Sequence, residues 1–147
     1  MQTLVEFRSD RFPAYEEEEE QVNLGLWGRR LAEFLCERLA AEGFRTGNLL
    51  AEDWGWRFDV VNPEFALWVA CGHYQEYPDG YLCSIEPHQP SIRKLFRKVD
   101  TRERVAALRD ALDKVLTEAD GVRDKIWWTY EEFMHPKHPV QSPEGTK

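Results

Sequence analysis

Glu52-Asp53-Trp54-Gly55-Trp56, running on into Arg57-Phe58-Asp59-Val60-Val61, marks the point where the chain takes up a period of two. Trp56, Phe58 and Val60 alternate with Arg57 and Asp59, the pattern of a strand with one buried face. Asp53-Trp54-Gly55 reads as a bend or bulge between this strand and Leu49-Leu50-Ala51-Glu52, with Gly55 permitting the bend. The same period recurs from Phe65 to His73 and over Tyr81-Leu82-Cys83-Ser84-Ile85, so four consecutive strands lie between Leu49 and Glu86. Asn62-Pro63 and Pro78-Asp79-Gly80 carry turn chemistry, and the strands are expected to meander antiparallel.

Outward from this block, Thr3-Leu4-Val5-Glu6-Phe7 reads as a first strand. A loop follows from Arg8 to Asn23. Its run Glu16-Glu17-Glu18-Glu19-Glu20 repels itself and favours a solvated, mobile segment, or else the first turn of the next helix. From Leu24 to Glu42, Leu24, Trp27, Leu31, Phe34, Leu35 and Leu39 form one helical stripe, with Gly43 as its stop. Pro87 breaks the sheet pattern, and Ser91 to Val99 reads as a short helix. Asp100 and Glu103 open a second long helix with Val105, Leu108, Leu112, Val115 and Leu116 on its apolar side, ending at Asp120-Gly121. Val122 to Trp128 reads as a last strand.

The order β-α-β-β-β-β-α-β predicts an α+β fold, a mostly antiparallel sheet of five to six strands with two long amphipathic helices on one face. Residues 1–128 read as a single domain with an acidic loop at 8–23, and 129–147 as a flexible C-terminal tail.

The 147 residues are 42% hydrophobic and include six tryptophans, enough to build a core and to argue against disorder. No segment approaches the ~20 apolar residues that span a bilayer, and the N-terminus lacks a signal-peptide pattern, so a cytoplasmic location is expected. Cys36, Cys71 and Cys83 read as reduced thiols. The net charge is −8, with 14 acidic against 7 basic residues in positions 1–66. That field repels nucleic acid and anionic membrane and speeds encounter with a basic partner.

Several clusters could carry chemistry. Cys71, His73, Cys83 and His88 offer zinc-ligand types, but the spacing departs from the knuckles of structural zinc sites. The hairpin at Pro78-Asp79-Gly80 sets Cys71 opposite Cys83 on the core face, where buried thiols are the commoner outcome. The sequence contains no dinucleotide, P-loop, zincin or nucleophile-elbow motif. No metal, cofactor or catalytic residue is assigned. Glu52 and Asp53 can serve acid/base work only where the backbone bends so that they converge. Arg93, Lys94, Arg97 and Lys98, interleaved with Leu95 and Phe96 and extended by Arg102 and Arg104, form a basic stripe. It suits nucleic acid, but in an acidic chain it reads better as a solvated face or as a partner for the acidic first half. Of Trp127 and Trp128 one must point away from the helices, and Trp68, between Leu67 and Val69, does likewise.

Glu52-Asp53-Trp54-Gly55-Trp56, with the strand Trp68-Val69-Ala70-Cys71-Gly72 and the flanking helices, resembles a group of small stand-alone bacterial α+β domains of unassigned role. The likeness covers roughly residues 24–128 and transfers no catalytic residue. In general character such acidic domains also look like immunity proteins that neutralise toxins. The leading expectation is a non-enzymatic protein-binding domain, immunity-like, that docks a basic protein partner through Glu52, Asp53, Trp54, Trp68 and Trp128, with no nucleic-acid or membrane partner. One alternative is a small metal-dependent or acid/base enzyme whose Glu52, Asp53, His73 and His88 line one cleft. Another is an oligomeric structural or regulatory module, a homodimer burying Trp68 or Trp127 and Trp128.

Overall fold

The computed structural model describes residues 1–74 and 76–135. The alternating block forms the expected meander of β2 (Thr46–Glu52), β3 (Gly55–Val60), β4 (Leu67–His73) and β5 (Gly80–Glu86). The first strand, β1 (Gln2–Arg8), pairs with β5, and β8 (Arg123–Thr129) adds beyond it. The spatial order is β2-β3-β4-β5-β1-β8, with every neighbour antiparallel.

Register then sorts the side chains. Trp56, Cys71, Cys83, Val5 and Trp127 share one row on the inner face, and Phe58, Val69 and Ile85 share the next. Two long helices, α1 (Arg29–Ala41) and α2 (Arg102–Glu118), cover that inner face. Leu31, Leu35 and Leu39 of α1 and Leu108, Leu112 and Leu116 of α2 are fully buried against it. Each such side chain contributes about 1.5–3 kcal/mol of burial, which is the main reason the helices lie on this face. The α+β class, the antiparallel sheet and the one-sided helices are therefore as expected.

Four stretches differ from the reading of the sequence. First, α1 starts at Arg29 rather than Leu24, which is 79% exposed. The chain before it leaves the helical path to dock on β4, where the Trp27 carbonyl accepts from the His73 amide at 2.6 Å. A Cβ on Gly28 would stand 2.8 Å from the Cys71 carbonyl oxygen, so only glycine allows that approach.

Second, the acidic loop is anchored rather than mobile. Phe12 and Val22 join the core, the Phe12 carbonyl accepts from the Tyr81 hydroxyl, and Tyr15 donates its hydroxyl to Glu33 of α1. Third, Ser91 to Val99 is not helical. It forms a hairpin of β6 (Ser91–Lys94) and β7 (Arg97–Asp100), because Ile92 and Val99, directly opposite, face the core together. Fourth, the expected tail opens with a short helix, α3 (Tyr130–Met134). Thr129 and Glu132 close a reciprocal capping box at its start. The remainder of the expected tail, 136–147, lies outside the described residues. Among the described residues no helix is long and apolar enough to cross a membrane.

Candidate functional site

The β2–β3 turn carries Glu52, Asp53 and Trp54, and its shape depends on backbone contacts. Gly55 has φ +149, and a Cβ there would lie 2.4 Å from the Cys71 carbonyl oxygen. On the outside, the Asp53 carbonyl accepts from both the backbone and the side-chain amide of Asn23, at 3.2 and 3.0 Å. The Glu52 and Asp53 carboxylates make no hydrogen bond among the described residues. The motif thus locks its bend through a main-chain carbonyl and leaves the two acids available to solvent.

Behind the turn sits Glu18, only 2% exposed. Its Oε2 accepts from the amides of Gly28 and Arg29 and from the Trp56 indole, each at 2.8 Å, and its Oε1 accepts from the Tyr15 amide at 2.9 Å. The side chain therefore caps α1 from a distance in sequence, in place of the ordinary N-cap that Gly28 cannot supply. It also joins the acidic loop, the helix and β3 at one atom. Nothing in the five-glutamate run distinguishes this residue locally.

The residues of the enzyme alternative do not converge. His73 points inward, stacked on Trp27 at 3.9 Å. Its Nδ1 faces the Gly25 carbonyl at 2.7 Å and its Nε2 the Pro78 carbonyl at 3.0 Å, so both ring nitrogens are engaged by the backbone. His88 bonds Glu86 and stacks on Tyr130. Because Glu86 pairs with Trp68, His88 lies ~17 Å of strand away from His73. Glu52 and Asp53 belong to the β2–β3 turn, which packs against Gly72, but neither histidine bonds their carboxylates.

Cys71 and Cys83 sit opposite one another as expected, with their sulfurs 3.8 Å apart, fully buried. Burial, reinforced by the Cys83 thiol, pushes the Cys71 thiol well above its usual range, the reverse of what a nucleophile needs. A thiol reagent added to the native protein is accordingly expected to modify Cys36 alone. Cys71 and Cys83 should react at the rate of unfolding, and prompt labelling of either by mass spectrometry would show that this core opens.

The outer face of the sheet is different. Row by row it presents Leu50, Arg57, Ala70, Ser84, Leu4 and Trp128, then Gly72, Leu82, Glu6 and Ile126, then Asp59, Trp68 and Glu86. Both long helices lie on the other side. Small residues in the middle, Ala70, Gly72 and Ser84, floor an open cleft of about 390 Å³. Leu26, Trp54, Trp68, Tyr74 and Leu82 wall it. Arg57 stacks on Trp68 at 4.0 Å and reaches Asp59 at 3.3 Å, while its buried Nε finds no hydrogen-bond partner among the described residues. Trp128 also points outward, and its indole N–H donates to Glu6 at 2.7 Å. Trp127 points inward to Asp113 of α2.

Of the five residues expected to contact a partner, Trp54 and Trp68 line this cleft and Glu52 and Asp53 adjoin it through the turn. Trp128 stands across the face, already tied to Glu6. Leu26, Tyr74 and Leu82 were missed, yet alternation places Leu82 on the same side as Ser84. Facing small residues on neighbouring strands are the signal of a cleft.

Two carboxylates act on Tyr74 at the cleft wall. Burial, then Glu6 and Glu76, push the Tyr74 hydroxyl up to about 12. The folded protein thus holds this proton longer than the unfolded chain, whose tyrosines titrate near 10. Tyr74 contributes stability that is intact below pH ~10 and is lost as pH rises towards 12. A spectrophotometric titration of the native protein should show one tyrosinate near pH 12 that Tyr74→Phe removes; an unchanged curve would contradict the assignment.

Comparison with protein-family models, curated proteins and solved structures gives no match.

Proposed function

We propose that this chain is a protein-binding domain, immunity-like in character, that seats a basic partner segment in the cleft on its outer sheet face. The observation that carries this reading is an aromatic-walled cleft, on the sheet face that neither long helix covers, with carboxylates beside it: Glu6 and Glu76 act on Tyr74 of its wall, and Glu52 and Asp53 precede Trp54 in the turn. Trp and Tyr are the residues that concentrate binding energy at interfaces, and the acids add attraction for Lys or Arg. The dispersal of Glu52, Asp53, His73 and His88 removes the geometric support for the enzyme alternative.

The test is affinity capture followed by calorimetry with the purified partner. A basic protein should bind one to one, bind more weakly as salt rises, and lose at least about tenfold in affinity in Trp54→Ser and in Trp68→Ser. A partner indifferent to both substitutions, or a measurable turnover by the isolated chain, would overturn the reading.

A further inference from the structure

The β6–β7 hairpin ends in a second apolar feature that the core does not use. Leu95 and Phe96 form its tip, 90% and 98% exposed, and Leu95 is held at φ +55, a costly conformation for so large a side chain. Behind the tip, register sets Lys94 opposite Arg97 and Arg93 opposite Lys98. Like charges so placed oppose strand pairing, and successive pairs lie on opposite faces of the ribbon, so cations surround the tip. None of the four makes a salt bridge among the described residues, although the Lys98 charge acts on Asp100; Lys94 donates to the Glu64 carbonyl. By contrast Arg102, further along, is paired with Asp100 at 2.6 Å. The hairpin therefore presents an apolar point ringed by cations outside any salt bridge, on a chain whose net charge is −8.

Its chemical complement is on the same molecule. The outer-face cleft is apolar inside, with Glu6, Glu76 and the Glu52-Asp53 turn beside it and Arg57 on its Trp68 wall, and the exposure of Leu95 and Phe96 shows that a chain does not fill its own cleft. We propose that the β6–β7 hairpin of one copy inserts Leu95 and Phe96 into the outer-face cleft of a second copy, with Arg93, Lys94, Arg97 and Lys98 against Glu6, Glu52, Asp53 and Glu76. This rests on the reading of that cleft as a site for basic segments, and it names the chain's own hairpin as one. The contact joins two different surfaces, so it is heterologous, and self-association competes with any other occupant of the cleft.

The experiment is sedimentation velocity over a wide concentration range, at low and high salt. Wild type should associate, and should do so less as salt rises. Leu95→Ser with Phe96→Ser touches only exposed side chains and should weaken association at least about tenfold. Asp53→Lys with Trp54→Ser should do the same from the cleft side. Mixed together, the two monomeric double variants should form a one-to-one pair, because one retains the cleft and the other the hairpin; loss of folding cannot produce that result. A wild-type monomer at every concentration overturns the proposal, as does association that the hairpin variant leaves intact. So does a monomer that binds phosphatidylserine vesicles or single-stranded RNA through Leu95 and Phe96, which would reassign the hairpin. A monomeric wild type that still binds a basic partner, and loses it in Trp54→Ser, overturns this proposal alone and leaves the protein-binding reading standing.

Discussion

Gly55→Ala is expected to lower the unfolding free energy by about 3–5 kcal/mol, as the sum of backbone strain and overpacking. The residue has φ +149, a region that side chains with a Cβ rarely enter. The added carbon would meet the Cys71 carbonyl oxygen at 2.4 Å. That oxygen cannot swing away, since Cys71 is held in register with Trp56 on one side and Cys83 on the other. Relief requires β3 to separate from β4, and the turn bearing Trp54 moves with it. Gly47→Ala is the matched control: it is also a strand glycine, but nothing lies within 4 Å of its added carbon, and a change within about 0.5 kcal/mol is expected. Urea unfolding of the two variants decides the matter; equal losses would mean that the close approach at Gly55 is not rigid.

Glu18→Ala is expected to cost a similar amount, about 3–5 kcal/mol. The Gly28 amide and the Trp56 indole N–H are buried donors that it alone satisfies, and each is worth about 1–3 kcal/mol when left without an acceptor. The Arg29 amide loses its cap as well. Glu18→Gln keeps the shape but turns an NH2 group toward other donors, so a loss of about 2 kcal/mol is expected. Glu16→Ala and Glu20→Ala, at exposed positions of the same run, should stay within about 0.5 kcal/mol. Thermal unfolding of the four variants separates a specific cap from a general effect of removing negative charge. If Glu16→Ala lost as much as Glu18→Ala, the loss would belong to the run as a whole and the cap would be refuted.

These two residues also show how far the sequence could be read. Gly55 was legible: a glycine between two indoles at the start of an alternating run points to a bend. Trp68 and the opposed Cys71 and Cys83 were legible for the same reason, since side-chain direction along a strand follows from local geometry. The β6–β7 hairpin was not, because Leu95-Phe96 at its tip offers none of the Asn or Gly that ordinarily announces a tight turn. The early helix start was misread because Leu24 and Trp27 fall at helical spacing by coincidence. Trp27 is apolar for the sake of His73 and Tyr81 across the fold.

By itself the sequence determined the class of the fold and which side chains share a sheet face, because periods of 2 and 3.6 are properties of the local backbone. Only the tertiary structure decided that one glutamate of five is a buried cap, that small residues on β4 and β5 open a cleft, and that an apolar tip ringed by cations stands clear of it. Each of these depends on groups brought together from distant parts of the chain. A carboxylate becomes a cap only where Gly28, Arg29 and Trp56 bring their N–H groups to it, and no local pattern records that meeting.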